Sequence, residues 1–189
     1  MLKLISVSLL IASLAACITT ESSAPNVPIG ASENIAKCKE GWQLTEKGHY
    51  SRAVDWYFEC IETGNLSNST LSRTYRNIGI TYRRMGEYET AIEYFDKAIT
   101  LNPADIQNDY INRGNARSGL RQYDMALADY EKALEIKPNN GAAVFNRGIV
   151  YERLGRTDEA ISDFKLAPEL GYYSPDLVER LRFYGIKKI

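Results

Sequence analysis

The residues of this chain whose types and spacing could do chemistry are few: one histidine, three cysteines, a regular series of asparagines and a group of arginines. His49 stands between Gly48 and Tyr50 with no acid or base at a recognisable spacing, so it reads as a structural turn residue and not as a proton carrier. The chain has no glycine-rich loop ending in Gly-Lys-Ser/Thr, no Cys-x-x-Cys or His-x-x-x-His pair and no recognisable Ser/His/Asp order. No catalytic residue, metal site or cofactor is therefore expected. Asn77, Asn112 and Asn146 recur at intervals of 35 and 34 residues. An amide supplies both donor and acceptor, which suits pairing with the backbone of an extended peptide whatever its side chains. Hydrogen bonding to their own neighbours is the alternative. Arg73, Arg76 and Arg83, at spacings of three and seven, share one helix face, where an anionic ligand group could dock or where the charge is simply solvated.

The elements that position these residues begin after an unusual start. Lys3 is followed by an apolar run from Leu4 to Ala16 that stops at Cys17 and a polar stretch, Thr19 to Ser23. The run has the charged start and hydrophobic middle of an export signal and is too short to span a bilayer, which takes about 20 apolar residues. Residues 1–16 are expected to be removed. Leu14-Ala15-Ala16-Cys17 resembles the lipobox of bacterial lipoproteins. The resemblance implies that Cys17 becomes the acylated mature N-terminus, held stably because several acyl chains anchor where one does so only marginally. Position 18 is isoleucine and not aspartate, which by the same resemblance favours the outer membrane and a periplasm-facing domain; a Gram-positive source with one membrane is the alternative. Residues 17–32, rich in Ser, Thr, Pro and Ala, read as a tether. The formal net charge of -1 provides no basic surface for phosphates, so no nucleic-acid partner is expected.

Beyond the tether the chain repeats itself. Gly79, Gly114 and Gly148 are 35 and 34 residues apart, as are Ala91, Ala126 and Ala160; Pro103 and Pro138 are 35 apart. A weaker copy upstream places Gly41, Gly48, Tyr50, Ala53 and Tyr57 in the same order as Gly79, Gly86, Tyr88, Ala91 and Phe95. One copy reads Tyr75, Ile78, Gly79, Tyr82, Gly86, Tyr88, Ala91, Phe95, Ala98, Pro103, and the next Tyr110, Gly114, Tyr123, Ala126, Tyr130, Ala133, Pro138. These phrases resemble the tetratricopeptide repeat (TPR) from about Asn34 to Ala167. The resemblance implies an all-α solenoid of about four helix-turn-helix repeats within residues 33–185, with Gly79 and Ala91 where the paired helices meet and Tyr82, Phe95 and Tyr130 filling the space between neighbouring pairs. Pro168 is expected to end the last repeat's second helix early, and Ser174-Pro175-Asp176 to start a capping helix running to about Tyr184.

In TPR proteins the asparagine position faces a concave groove, which makes Asn77, Asn112, Asn146, Arg73, Arg76 and Arg83 the expected peptide-binding set. The arginines resemble only loosely the carboxylate clamps of cochaperone TPR domains, whose lysine and asparagine pattern is absent. Arg113 and Arg147 each precede an aspartate, Asp129 and Asp163, by sixteen residues, while the matching positions of the preceding copy are Ile78 and Tyr94; a structural ion pair, within each hairpin or to its neighbour, is expected in the later copies. If Cys17 is acylated, Cys38 and Cys60 are an even pair in an oxidising compartment, open to two readings: a disulfide across the first hairpin, or two buried thiols. The function implied is a lipid-anchored adaptor that binds a protein or peptide partner. The alternative is a structural component that self-associates, as a homo-oligomer or within a pilus or secretion assembly.

Overall fold

The computed structural model describes residues 29–63, 65–101 and 106–186, with side chains from Ile35 onward. Cys17, the export segment and most of the tether lie outside the described residues. Among those residues the elements are all helices: α1 (Ile29–Glu46), α2 (Tyr50–Glu62), α3 (Asn68–Met85), α4 (Tyr88–Leu101), α5 (Gln107–Gly119), α6 (Tyr123–Ile136), α7 (Gly141–Arg153), α8 (Thr157–Glu169) and α9 (Pro175–Phe183). The first of them begins at Ile29, inside the stretch expected to be tether.

Each odd helix packs against the even helix that follows it, and the four hairpins stack in order, as the repeat spacing requires. The first helices also touch one another in series, α1 with α3, α3 with α5 and α5 with α7. They therefore line the inner face of the stack.

Four glycines set the hairpin crossings. A Cβ on Gly41, Gly79, Gly114 or Gly148 would lie 2.7–2.8 Å from the ring of Tyr57, Phe95, Tyr130 or Phe164 respectively, well inside van der Waals contact. What Gly79 makes room for is thus the Phe95 ring, in addition to letting α4 approach at Ala91. The rings then reach onward, sharing clusters with the next hairpin: Tyr57 with Ile78, Phe95 with Ala116, Tyr130 with Val150. One aromatic per repeat closes its own hairpin and glues it to its neighbour.

The turns and ends follow local rules. Gly48, Gly86 and Gly155 take φ of 80°, 85° and 73°, the left-handed conformation that closes a helix C-terminus. Ser67, Asn140 and Ser174 cap α3, α7 and α9, each side-chain oxygen accepting from the backbone N–H three residues on. The expectation for Pro168 needs correction. The helix α8 runs past it to Glu169 and has 13 residues against 14 in α6, because a proline this close to the C-terminus deprives the helix of a single backbone bond in its last turn. The helix α9 starts at Pro175 and buries Leu177 and Leu181 in one cluster with Phe145, Phe164 and Ala167, covering the end of the stack.

Candidate binding groove

The inner face is built by α1, α3, α5 and α7, and its side chains fall into two groups: carboxylate-paired arginines and amide or hydroxyl groups beside small cavities. Asn77 on α3 helps line a cavity of about 380 Å³ with Ile35, Cys38, Lys39, Trp42, Thr70, Arg73 and Thr74. Asn146 on α7 lines a smaller one, about 90 Å³, with Asn115, Ser118, Tyr130 and Ile149. Asn112 is half-buried on α5. Arg73 is exposed at the mouth of the larger cavity.

Arg76 departs from the expectation that groups it with Arg73 and Arg83 as a ligand-facing trio. Its Nε and Nη2 donate to Asp109 on α5 at 2.6 and 2.9 Å, and Asp109 is fully buried. A bidentate pair of this kind is shorter and stronger than a neutral hydrogen bond, and it commits Arg76 to joining α3 to α5. Arg83 behaves differently. Its Nε is buried without a hydrogen-bond acceptor, and burial, followed by the nearby Arg84, pulls its guanidinium below the usual arginine range.

The ion pairs between hairpin helices lie where the sixteen-residue spacing puts them. Arg113 donates from Nε and Nη2 to Asp129, and Arg147 holds Asp163 at 2.8 Å through both nitrogens. The hydrogen bond to Asp163 holds the Arg147 guanidinium above its usual range. Arg113 also reaches Asp96 on α4, and Arg117 donates to Asp129 at 2.8 Å, so four charges tie α4, α5 and α6 together. In the second hairpin Ile78 is buried and Tyr94 stacks on Tyr82 at 5.7 Å between centroids.

At the first hairpin a disulfide joins Cys38 on α1 to Cys60 on α2, with alpha carbons 5.4 Å apart. Further along α1, Thr45 and Thr81 share a hydrogen bond of 2.8 Å across α1 and α3, and the Tyr57 hydroxyl lies 3.3 Å from Thr45 Oγ1. His49 is exposed at the start of α2 and makes no side-chain cap. No group of three or more His, Cys, Asp or Glu residues among the described ones could hold a metal, and no described helix is long and apolar enough to cross a membrane.

Asp109, Arg117 and Asn115 on α5, and Asp96 on α4, are residues that the repeat pattern does not flag. Asp109 has Thr74 and Ala143 at the matching positions, so no periodic signal points to it.

The stacked hairpins and their lined inner face define a helical-repeat scaffold. The tetratricopeptide repeat model matches residues 72–105 and 109–140, and a second tetratricopeptide repeat model matches 129–162: the chain carries tetratricopeptide repeats. It is 34% identical over 127 residues to rat (Rattus norvegicus) sperm-associated antigen 1, covering 67% of this chain and 14% of that protein. It is 33% identical over 105 residues to the rat mitochondrial import receptor subunit TOM70, covering 52% and 17%. The chain thus spans less than a fifth of these relatives. Among solved structures, the crystal structure of MamA superposes with a TM-score of 0.64 at 26% identity, covering 73% of this chain and 78% of MamA. The second TPR domain of human RPAP3, in complex with an HSP70 peptide, superposes with a TM-score of 0.57 at 24% identity, covering 64% and 97%, a likeness of fold.

Proposed function

We propose that this protein is a lipid-anchored adaptor of the bacterial envelope that holds a partner protein or peptide in the inner groove of its repeat stack. The observation that carries the binding role is the placement of the repeat-related Asn77 and Asn146 beside cavities of the inner face, where free amide donors and acceptors meet an incoming backbone. Resemblance over part of its length to an import receptor subunit supports the same reading. Anchoring through Cys17, the outer membrane and a periplasm-facing domain rest on Leu14-Ala15-Ala16-Cys17 and Ile18. No described residue carries catalytic chemistry into this reading.

Crosslinked envelopes supply the test. Wild-type protein captures a distinct partner that an Asn77→Ala/Asn112→Ala/Asn146→Ala variant loses; a partner retained by that variant refutes the groove. Fatty-acid labelling tests the anchor: Cys17→Ser takes up no label, and a labelled, membrane-bound Cys17→Ser protein removes the anchoring claim. The exposed Phe183, 80% accessible on the capping helix, favours a second reading in which that end self-associates. Capture of further copies of this chain alone, abolished by Phe183→Ser, would replace the adaptor with that reading.

A further inference from the structure

The disulfide of the first hairpin joins two unlike sulfurs. Cys60 on α2 is fully buried, whereas Cys38 on α1 is half-buried and lines the inner-face cavity of about 380 Å³. A molecule that reaches the bridge through this cavity meets the Cys38 side of it. Thiol–disulfide exchange starts with a thiolate that attacks one sulfur and expels the other, so access decides which of the two is attacked. A cavity of this volume admits a small molecule.

The same cavity suits a thiolate on Cys38 once the bridge is open. Its lining carries two cations, Lys39 from α1 and Arg73 from α3, and no acid. The nearest acid in sequence to Cys60, Glu59, is paired with Lys37 at 3.1 Å. Positive charge around a partly exposed cysteine favours its thiolate, and full burial, the situation of Cys60, disfavours it. Thr74 Oγ1 lies 3.2 Å from Cys38 Sγ and donates to the Thr70 carbonyl at 2.9 Å. A hydroxyl both donates and accepts, so Thr74 can accept from a Cys38 thiol or turn its own hydrogen to a Cys38 thiolate. Cys38 thus has a partner for either form.

We propose that Cys38 is a thiol–disulfide exchange site on the wall of this cavity, where a low-molecular-weight thiol opens the bridge and the matching disulfide remakes it, with Cys60 as the resolving cysteine. In opening, the incoming thiolate bonds to Cys38 Sγ while the Cys38–Cys60 bond breaks; the electron pair leaves on the Cys60 sulfur, which takes up a proton. The product is a mixed disulfide on Cys38 and a buried thiol on Cys60. A second thiolate attacks the small-molecule sulfur of that mixed disulfide and expels the Cys38 thiolate, so two thiols are oxidised to one disulfide as the bridge is reduced. Closing runs the other way: the Cys38 thiolate attacks the small disulfide, and Cys60 then attacks Cys38 Sγ and expels the remaining thiolate. This chemistry belongs to the cavity wall and does not depend on which partner the asparagines hold.

The test uses the full-length protein in detergent, at neutral pH and without denaturant, with two uncharged probes, 2-mercaptoethanol and hydroxyethyl disulfide. Brief exposure of the oxidised wild type to 2-mercaptoethanol, then acid quenching and peptide mapping, finds the mixed disulfide on Cys38 and not on Cys60. In the single variants, hydroxyethyl disulfide modifies Cys38 of Cys60→Ser roughly a hundredfold or more faster than it modifies Cys60 of Cys38→Ser, because only the first thiol is within reach of the probe. Mapping by peptide separates both from any reaction at Cys17. Circular dichroism checks that the variants keep their helices; if either does not, the wild-type mapping decides alone. A mixed disulfide on Cys60, equal rates in the two folded variants, or a bridge that opens only at urea concentrations that unfold the repeats overturns the proposal.

Discussion

In α1–α2 the Tyr57 ring covers Gly41, and in α5–α6 the Tyr130 ring covers Gly114, with the same 2.8 Å to the missing Cβ. Around that shared contact the two hairpins use different chemistry. The first is joined by the Cys38–Cys60 disulfide, and its tyrosine hydroxyl meets Thr45 and Thr81. The third is joined by Asp129, held between Arg113 and Arg117, with Asp96 adding a carboxylate from α4. Its tyrosine hydroxyl donates to Asn115. The difference follows position in the stack. The third hairpin has a neighbour on each side to lend charges, whereas α1–α2 has a neighbouring hairpin, α3–α4, on one side only among the described elements, and a covalent bond needs no neighbour. The small-residue cradle is what the repeat demands; the fastening is open to whatever the surroundings allow.

The sharpest way to break the comparison is to remove the fastening from each side. Asp129 is 2% exposed in its side chain and satisfies two arginines. Asp129→Ala leaves Arg117 with no carboxylate and Arg113 with only Asp96, so the expected cost is about 4 kcal/mol, the range for taking one member from a buried ion group. Urea unfolding measures it. Replacing the buried charges together, with Ile, Tyr and Tyr at positions 113, 117 and 129 as the second hairpin has at 78, 82 and 94, costs far less, since a well-packed apolar group often matches an ionic one. A loss under 1 kcal/mol for Asp129→Ala would mean that the charges are solvated and do not fasten the hairpin.

Reduction is the corresponding operation on the first hairpin. The bridge closes a segment with a sequence separation of 22, for which the chain-entropy estimate is about 3 kcal/mol. We expect reductant to lower the melting temperature of the wild type and to leave Cys38→Ala/Cys60→Ala unchanged, that variant being already as unstable as the reduced protein. Mass spectrometry of the unreduced protein checks the bond itself, and two free thiols would remove this side of the comparison.

Legibility in the sequence tracks the same division. The periodic glycines and aromatics announce the hairpins because every repeat must solve the same crossing problem. The Arg113–Asp129 and Arg147–Asp163 pairs are readable because two copies carry them at one spacing. Ser174-Pro175 announces α9 by local capping chemistry alone. Arg76–Asp109 is not readable: it crosses between repeats, its acid occurs once, and the three-and-seven spacing of Arg73, Arg76 and Arg83 suggests a common role that the fold does not give them. Nor could spacing reveal that Arg83 Nε is buried without an acceptor, which depends on every element packed around it. Pro168 suggests a shorter α8 than the fold has, because the cost of a helical proline depends on how many turns remain after it.

The two tyrosines refine the comparison at high pH. Burial, partly offset by the hydrogen bond shared with Thr45, pushes Tyr57 up to about 12, and burial also raises Tyr130. An unfolded tyrosine releases its proton near pH 10. A phenol that holds its proton more tightly when folded contributes its full stability below pH 10 and loses it as pH rises through the folded value. Stability should therefore decline between about pH 10 and 12. Tyr57→Phe and Tyr130→Phe should each lessen that decline at a cost near neutral pH of about 1 kcal/mol, the usual worth of one hydrogen bond. Alkaline unfolding curves of the two variants that superpose on the wild type would show that neither hydroxyl is held inside the fold.

The smallest effect lies in the turns. Gly48 closes the first hairpin at φ 80°, while the third is closed by Arg121 at φ 59°, the position that Gly86 and Gly155 hold in the other two repeats. A side chain in the left-handed region brings Cβ against the following carbonyl, a strain of roughly 1–2 kcal/mol. Glycine avoids it but starts from a freer unfolded chain, which returns a part of the gain. Arg121→Gly should consequently stabilise the protein by about 0.5–1 kcal/mol, and the reverse change, Gly48→Arg, should destabilise it by a similar amount. Nothing lies within 4 Å of a Cβ built at Gly48, so backbone conformation alone decides that sign. Melting temperatures that moved the other way in both variants would mean that the arginine side chain at this turn makes a contact worth more than the strain it imposes.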